Sequence, residues 1–520
     1  MNKVLIMVFM ASFAVSMVKA QHQNVVIGTM RNPNEPSIVI NPANASQMMA
    51  GANLDNFYFS SDGGYTWSEN RLTSSAHGVW GDPCIVVDTL GNFYYFHLSN
   101  PPVGSWIDRI VCQRTDNNGL TWNDGAGIGL NGTKAQDKEW VVLDAATNTL
   151  MVTWTQFDSY GSAASSDSSL ILFSKSSDLG LTWTEPVRLN EKAGDCIDSD
   201  NTVEGAVPAI GPEGQIYVAW AGPDGLVFDK STDGGQTWLS HDIFVSEIPG
   251  GWDYDIAGIS RANGLPVTCC DLSNGPNRGT IYINWSDQRN GLTDTDIWLV
   301  KSTDGGYTWT APVRVNDDLP GKQQFFCWMT IDQTNGNLWF VFYDRRNYND
   351  NNTDVFMAVS DDGGLTFENF KVSDSPFVPV PSVFFGDYTN VSAHNNVIRP
   401  IWTRLHQNQL SIITAIVNPL LLKPDVPIVQ QAENASAFPN PFAGNTTISF
   451  KVHHQSQVTL AVYDIVGRQV LNIIDHEWIG PGKYIREFNA ESLMLKAGVY
   501  YFRLCIDNNE TVKRIVYAPL

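Results

Sequence analysis

The sequence predicts an all-β chain: an Asp-containing box motif repeated around a β-propeller, seven blades favoured and six the alternative, followed by a small C-terminal β-sandwich. Three observations carry this. An eight-residue box recurs six times between residues 60 and 367. A pair of strand-like segments precedes each box, and beyond residue 420 the composition changes to a linker and a unit with period-2 alternation. Composition agrees, since 17 Trp, 17 Tyr and 25 Phe with only 17% charged residues suit short packed strands rather than long solvated helices.

Taken in order, the first element is a leader. Lys3 supplies a positive start, Val4 to Met17 an apolar stretch and Val18-Lys19-Ala20 a small-residue cleavage site. Residues 1–20 are therefore expected to be a signal peptide. No later apolar run is long enough to cross a bilayer, so export without a transmembrane segment is expected.

Residues 21–420 are assigned to the propeller. The box reads Ser60-Ser61-Asp62-Gly63-Gly64-Tyr65-Thr66-Trp67 and returns at Ser176 to Trp183, Ser231 to Trp238 and Ser302 to Trp309. Two copies are degenerate: Thr115 to Trp122 carries Asn117 in place of Asp, and Ser360 to Phe367 ends in Phe. Intervals of roughly 55 to 70 residues match one blade with its loops. The Asp is expected to accept backbone N–H bonds in a hairpin turn and the Trp to pack between blades. That reading makes Asp62, Asp178, Asp233, Asp304 and Asp362 structural, because the turn occupies their oxygens.

Strand pairs that open blades start near Glu35, Asp82, Glu139, Glu204, Asp255, Phe326 and Asp387. The last, Gly386 to Thr403 with Leu410 to Val417, lacks a box. Asn24 to Thr29 is expected to supply its outer strand, closing the ring without an exposed edge.

Residues 421–434 read as a linker and 435–520 as the sandwich. Phe438-Pro439-Asn440-Pro441-Phe442, the strands Thr446 to Val452 and Gln457 to Asp464, the turn Val466-Gly467-Arg468 and Ala497 to Leu504 together resemble the C-terminal sorting domain of the type IX secretion system of Bacteroidetes. The resemblance implies the type IX secretion machinery as a partner, passage across the outer membrane, and release from or attachment to its outer surface. A carbohydrate-binding sandwich is the alternative.

Charge and cysteines bound the function. A net charge of −22 excludes nucleic acid as a partner, because phosphate binding needs clustered Lys and Arg. It also disfavours a strongly anionic polymer unless a local basic pocket intervenes. Seven cysteines without paired spacing form no disulfide scaffold or zinc site, and nine histidines show no metal-ligand spacing.

The box and its repeat resemble the Asp-box (BNR repeat) propellers of the sialidase superfamily over residues 24 to about 420. That resemblance implies an arginine triad for a substrate carboxylate, a Tyr nucleophile activated by Glu, and an Asp acid/base. Glu204 and Tyr388 match the Glu and Tyr, Arg345 or Arg346 matches one triad arginine, and Asp55 matches the acid. The departures are specific. Glu35-Pro36-Ser37-Ile38 stands where the family has Phe/Tyr-Arg-Ile-Pro, and Trp220 stands at the second arginine. Each lost charge-assisted bond is worth about 1.5–3 kcal/mol.

The blade starts suggest a second constellation. Asp82, Glu139, Glu204, Asp255 and Asp387 are expected to converge on one axial mouth with Trp80, Trp140, Trp252, Trp328 and Tyr388. Crowded carboxylates either share protons in acid/base catalysis or bind a cation such as Ca²⁺, and flanking aromatics suit sugar faces. Alternatively, each acid merely caps the loop entering its strand. No other cofactor site is legible. The two pairs Asp287-Gln288-Arg289 with Asp294 to Asp296, and Asp344-Arg345-Arg346 with Asp354, read as ion pairs bracing loops. Two functions remain: a secreted or cell-surface sialidase-like glycoside hydrolase acting on an extracellular glycan or glycoprotein, or a non-catalytic propeller that binds glycan or protein at the cell surface.

Overall fold

Seven four-stranded antiparallel sheets follow one another between residues 23 and 416 and make a seven-bladed propeller. The computed structural model describes residues 22–419 and 435–519, except 453, 465–467, 507 and 508. It divides into two compact units, Met1–Pro419 and Leu420–Leu520. The expected signal peptide, the linker at 421–434 and the turn at Val466-Gly467 lie outside the described residues.

The innermost strands of blades 1 to 7 are Ser37–Ile40, Cys84–Val87, Ala135–Asp144, Glu204–Ile210, Val267–Cys270, Gln324–Asp332 and Asn390–His394. Blade 7 has three strands of its own and takes its fourth from Gln23–Gly28, which pairs antiparallel with Gln409–Ile416. The N-terminal strand thus closes the ring by completing the last blade as its outermost strand.

The boxes form saturated turns. Asp62 accepts the Thr66 amide at 3.0 Å, the Thr66 hydroxyl at 2.6 Å and the Ser60 hydroxyl at 2.8 Å. Asp178, Asp233, Asp304 and Asp362 repeat the set. Asn117 keeps the turn with one polarity reversed, its Nδ2 donating to Thr121 Oγ1 at 2.7 Å. The threonine hydroxyl and amide pull Asp62, Asp178 and Asp304 down to about 2.

Each box also ties its blade to the one before. Trp122, Trp183, Trp238 and Trp309 meet Phe57, Phe96, Phe173 and Phe228 edge-on at centroid distances of 5.4, 5.7, 5.1 and 5.1 Å. Lys175, Lys230 and Lys301 reach forward to the box carbonyls of Gly234, Gly305 and Gly363 at 2.6 Å. Arg399 makes the same bond from blade 7 to Gly63 at 2.9 Å, so ring closure uses the device that joins ordinary neighbours.

The second unit is a two-sheet sandwich. One sheet orders Ser436–Phe438, Asn445–Val452 and Gly482–Asn489; the other orders Gln469–Ile479, Ser456–Asp464, Gly498–Ile506 and Asn509–Tyr517. Alternating residues Ile448, Phe450, Leu460, Val462, Phe502 and Leu504 fill the space between them.

Candidate functional site

The entrances to six of the inner strands share a backbone irregularity. Glu35, Asp82, Lys138, Gly205, Phe326 and Gly386, one from each of six blades, have φ between 51° and 96°. Register slips between Asp137 and Trp140, Glu204 and Val207, and Phe325 and Trp328 mark bulges at three of them. A left-handed non-glycine residue costs on the order of 1–3 kcal/mol, so three such residues around one cavity, Glu35, Asp82 and Lys138, mark a site held by its surroundings.

Glu35, Asp82 and Lys138 line an open cavity of about 320 Å³, with Asp137, Trp80, Trp106, Tyr160, Arg31, Arg261 and Phe384 among its other walls. The Lys138 ammonium bridges Asp387 at 2.7 Å and Asp82 at 3.0 Å. Arg261 then joins Asp387 to Asp198, the latter at 2.9 Å, and Asp198 accepts the Tyr160 hydroxyl at 2.5 Å. The result is a chain of alternating charge, Asp82, Lys138, Asp387, Arg261, Asp198. Burial works against the Lys138 ammonium, but attraction to Asp387 and Asp82 outweighs it and holds the group charged. Asp387 is likewise driven well below the carboxylate range once Lys138 and Arg261 overcome its burial.

Two further acids reach the cavity. Glu35 accepts the Asp387 amide at 3.0 Å and an Asn53 side-chain N–H; burial, and then the charge of Asp82, push it well up. Asp137 is raised to about 7, chiefly by burial, with Lys138 opposing and Asp82 and Asp198 adding to the rise. Its Oδ1 accepts the Lys138 amide at 2.9 Å, whereas Oδ2 has no protein partner among the described residues. A carboxyl that titrates near neutrality and offers a free oxygen to an open cavity suits proton transfer.

Aromatic side chains form one wall. Trp106 stands edge-on to Trp80 at 6.1 Å and to Tyr160 at 5.7 Å. Behind the charge chain, Trp140, Trp328 and Tyr388 cluster, with Trp140 at 4.3 Å from Trp328 and 5.1 Å from Tyr388. They line a second cavity of about 30 Å³ that shares Lys138 with the first, includes Asp387 in its wall, and has room for about one water.

The expected site residues thus fall into groups. Asp82 and Trp80 line the open cavity, and Asp387, buried, is joined to it through Lys138. Trp140, Trp328 and Tyr388 stand behind it, buried. Glu139 and Glu204, one residue C-terminal to Lys138 and N-terminal to Gly205, are buried, and all four of their carboxyl oxygens lack a protein partner among the described residues. Burial raises both acids well above the usual range. Among the described residues neither the Glu204 carboxyl nor the Tyr388 hydroxyl has a hydrogen-bond partner, so the two are not joined to each other.

The remaining candidates lie elsewhere. Asp55 is held by Arg71 at 2.5 Å and Arg31 at 3.4 Å. Asp255 is exposed and away from the cavity walls; Trp252 is buried and donates to the Thr202 carbonyl at 3.2 Å. Arg345 is buried, donates to the Ala257 carbonyl at 2.7 Å and lies over Phe325. Arg346 pairs with Asp344 at 2.8 Å and Asp317 at 2.5 Å and lies over Phe356, while Arg289 pairs with Asp287 at 2.5 Å and lies over Trp298. The arginines brace their own turns in both blades, whereas Asp296 and Asp354, expected in the same pairs, bind Arg314 and Lys371 instead. Among the described residues no group of three or more His, Cys, Asp or Glu is arranged to hold a metal ion.

Sequence reasoning missed Lys138, Asp137, Arg261, Asp198, Trp106 and Tyr160. Lys138 was signalled only by its neighbour Glu139. Arg261 sits in an insertion, the hairpin of Asp253–Tyr254 with Ala262–Asn263 between blades 4 and 5, which no repeat predicts.

Comparison with known proteins bears on the two units unequally. Residues 436–518 match the secretion system C-terminal sorting domain family, which marks the chain for secretion or attachment at the cell surface. Among the described residues no helix is long and apolar enough to cross a membrane. Curated proteins yield no match. Among solved structures, similarity is found to a Hadza microbial sialidase, with 14% identity, 73% of this chain and 75% of that one covered, and a TM-score of 0.42. An ulvan lyase of polysaccharide lyase family PL25 gives 12%, 75%, 95% and 0.46. YCF48 bound to D1 peptide gives 11%, 77%, 96% and 0.39.

Proposed function

We propose that this chain is a secreted or surface-attached glycoside hydrolase that acts on extracellular glycans at the axial cavity. Asp137 carries the reading, because a carboxyl raised to about 7, with one oxygen unbound, faces a cavity walled by Trp80, Trp106 and Tyr160. Sugar C–H faces stack on such rings while hydroxyls bond to the surrounding acids. In this mechanism Asp137 donates the proton to the departing glycosidic oxygen. Asp82 is the partner carboxylate, positioned by Lys138, that assists attack at the anomeric carbon.

Terminal sialic acid fits this cavity less well than a neutral glycan. Arg31 and Arg261 are the guanidinium groups on its walls, and both already bind protein carboxylates. Glu204 with Tyr388 would serve the sialidase-type route only if both became accessible to substrate.

A second reading, a glycan-binding propeller without turnover, is favoured by one observation: Asp82 and Asp387 are tied up by Lys138. Incubating the whole chain with a panel of polysaccharides and aryl glycosides, with Asp137→Asn and Asp82→Asn alongside, separates the two. Product release lost in both variants supports the hydrolase. Binding without product in any protein supports the second reading.

A further inference from the structure

The axial cavity is not a blind pocket for one sugar. Arg261 and Phe384 form part of its wall and are also part of the wall of a neighbouring depression of about 480 Å³, completed by Ser260, Pro381 and Ser382. The axial cavity is of the size that small-ligand sites occupy, and the neighbouring depression is shallow and open, a shape that suits a further unit of a chain and not an enclosed ligand. Between them stands a partition: the Arg261 guanidinium lies 5.5 Å from the Phe384 ring and is fixed by its ion pairs to Asp387 and Asp198.

Exposed aromatic residues mark both sides of this arrangement. Trp106 is 45% exposed on the wall of the axial cavity, and Phe384 is 42% exposed on the partition. Neither level of exposure is needed for packing, and large apolar rings left in water beside hydrogen-bonding groups are the usual platforms for pyranose or furanose faces. A single sugar held on the Trp80 and Trp106 wall would leave Phe384 and the second depression unused.

We infer that the ligand is an oligosaccharide or polysaccharide chain spanning both compartments, with successive sugar units on either side of the Arg261–Phe384 partition. This rests on the glycan reading above and extends it from a sugar to a chain. Phe384 is then a specificity-determining residue, acting on chain length and not on the chemistry at Asp137.

The test uses the whole chain and labelled oligosaccharide ladders of arabinan, xylan and chitin, from disaccharide to octasaccharide, with affinity read by fluorescence polarisation. Affinity is expected to rise with length. Phe384→Ala should remove about tenfold of the affinity for the longer members, the loss of one stacking contact. Ser382→Trp, which fills the exposed second depression, should penalise hexasaccharide more than disaccharide, and its folding is checked by an unchanged unfolding midpoint. Affinity that is flat with length, or rises with length but is untouched by both substitutions, overturns the extended-chain inference while leaving the glycan reading in place. No binding of any ladder member or of the parent polysaccharides overturns both.

Discussion

The box turns and the axial mouth are built from the same residue type, a carboxylate at a strand end, and they use it in opposite ways. In the boxes each Asp oxygen is filled by hydroxyls and amides of its own turn, and the group is held ionised at the surface. At the mouth, acids are buried, share two cations among them, and in Asp137 leave an oxygen free. Local satisfaction makes the box a structural rivet that works in any blade. Satisfaction across blades makes the mouth depend on the whole ring, and leaves it with groups able to titrate.

The contrast can be broken at its strongest point first. Lys138→Met leaves Asp82 and Asp387 without their shared cation, and loss of about 3–5 kcal/mol is expected in urea unfolding. A smaller effect belongs to the interblade contacts: Trp309→Ala, removing the edge contact to Phe228, should cost about 2–3 kcal/mol. Asp304→Ala, which empties one turn, should cost only about 1–2 kcal/mol because the damage stays within one hairpin.

Smallest of all at mildly acidic pH is Glu204→Gln, within about 1 kcal/mol, because burial keeps Glu204 neutral there. The sign then changes with pH. A carboxyl raised in the native state contributes stability that is present below its unfolded value near 4.5 and is lost as pH rises toward its native one. The parent chain should therefore lose stability relative to Glu204→Gln as pH rises, which paired unfolding curves at several pH values will show. A gap that narrows instead would mean that Glu204 is ionised and paired.

The outer parts of the fold were legible because their signals are local. Six boxes and the blade starts predicted seven blades, and the strand at Asn24 to Thr29 was expected where Gln23–Gly28 closes the ring. The mouth was legible only to within one residue. Side chains alternate along a strand, so a bulge that shifts the register by one exchanges the inward residue for its neighbour. Glu139 and Glu204 were expected at the axis, but their neighbours Lys138 and Gly205, both with positive φ, line the cavities instead. Arg261, Asp198 and Trp106 reach the site from loops of no repeating length, where periodicity carries no information. Arg345 and Arg346 matched a pattern in sequence, but their partners on neighbouring loops are formed only by the fold.

The central claim is that Asp137 donates a proton to a glycan in the axial cavity, and the pH–rate profile tests it most directly. Hydrolysis by the whole chain should fall as pH rises through about 7, the value to which burial raises this carboxyl. Asp137→Asn should lose about 10²–10⁴-fold in kcat and the alkaline limb with it. Full turnover by Asp137→Asn, with the limb unchanged, would contradict the account.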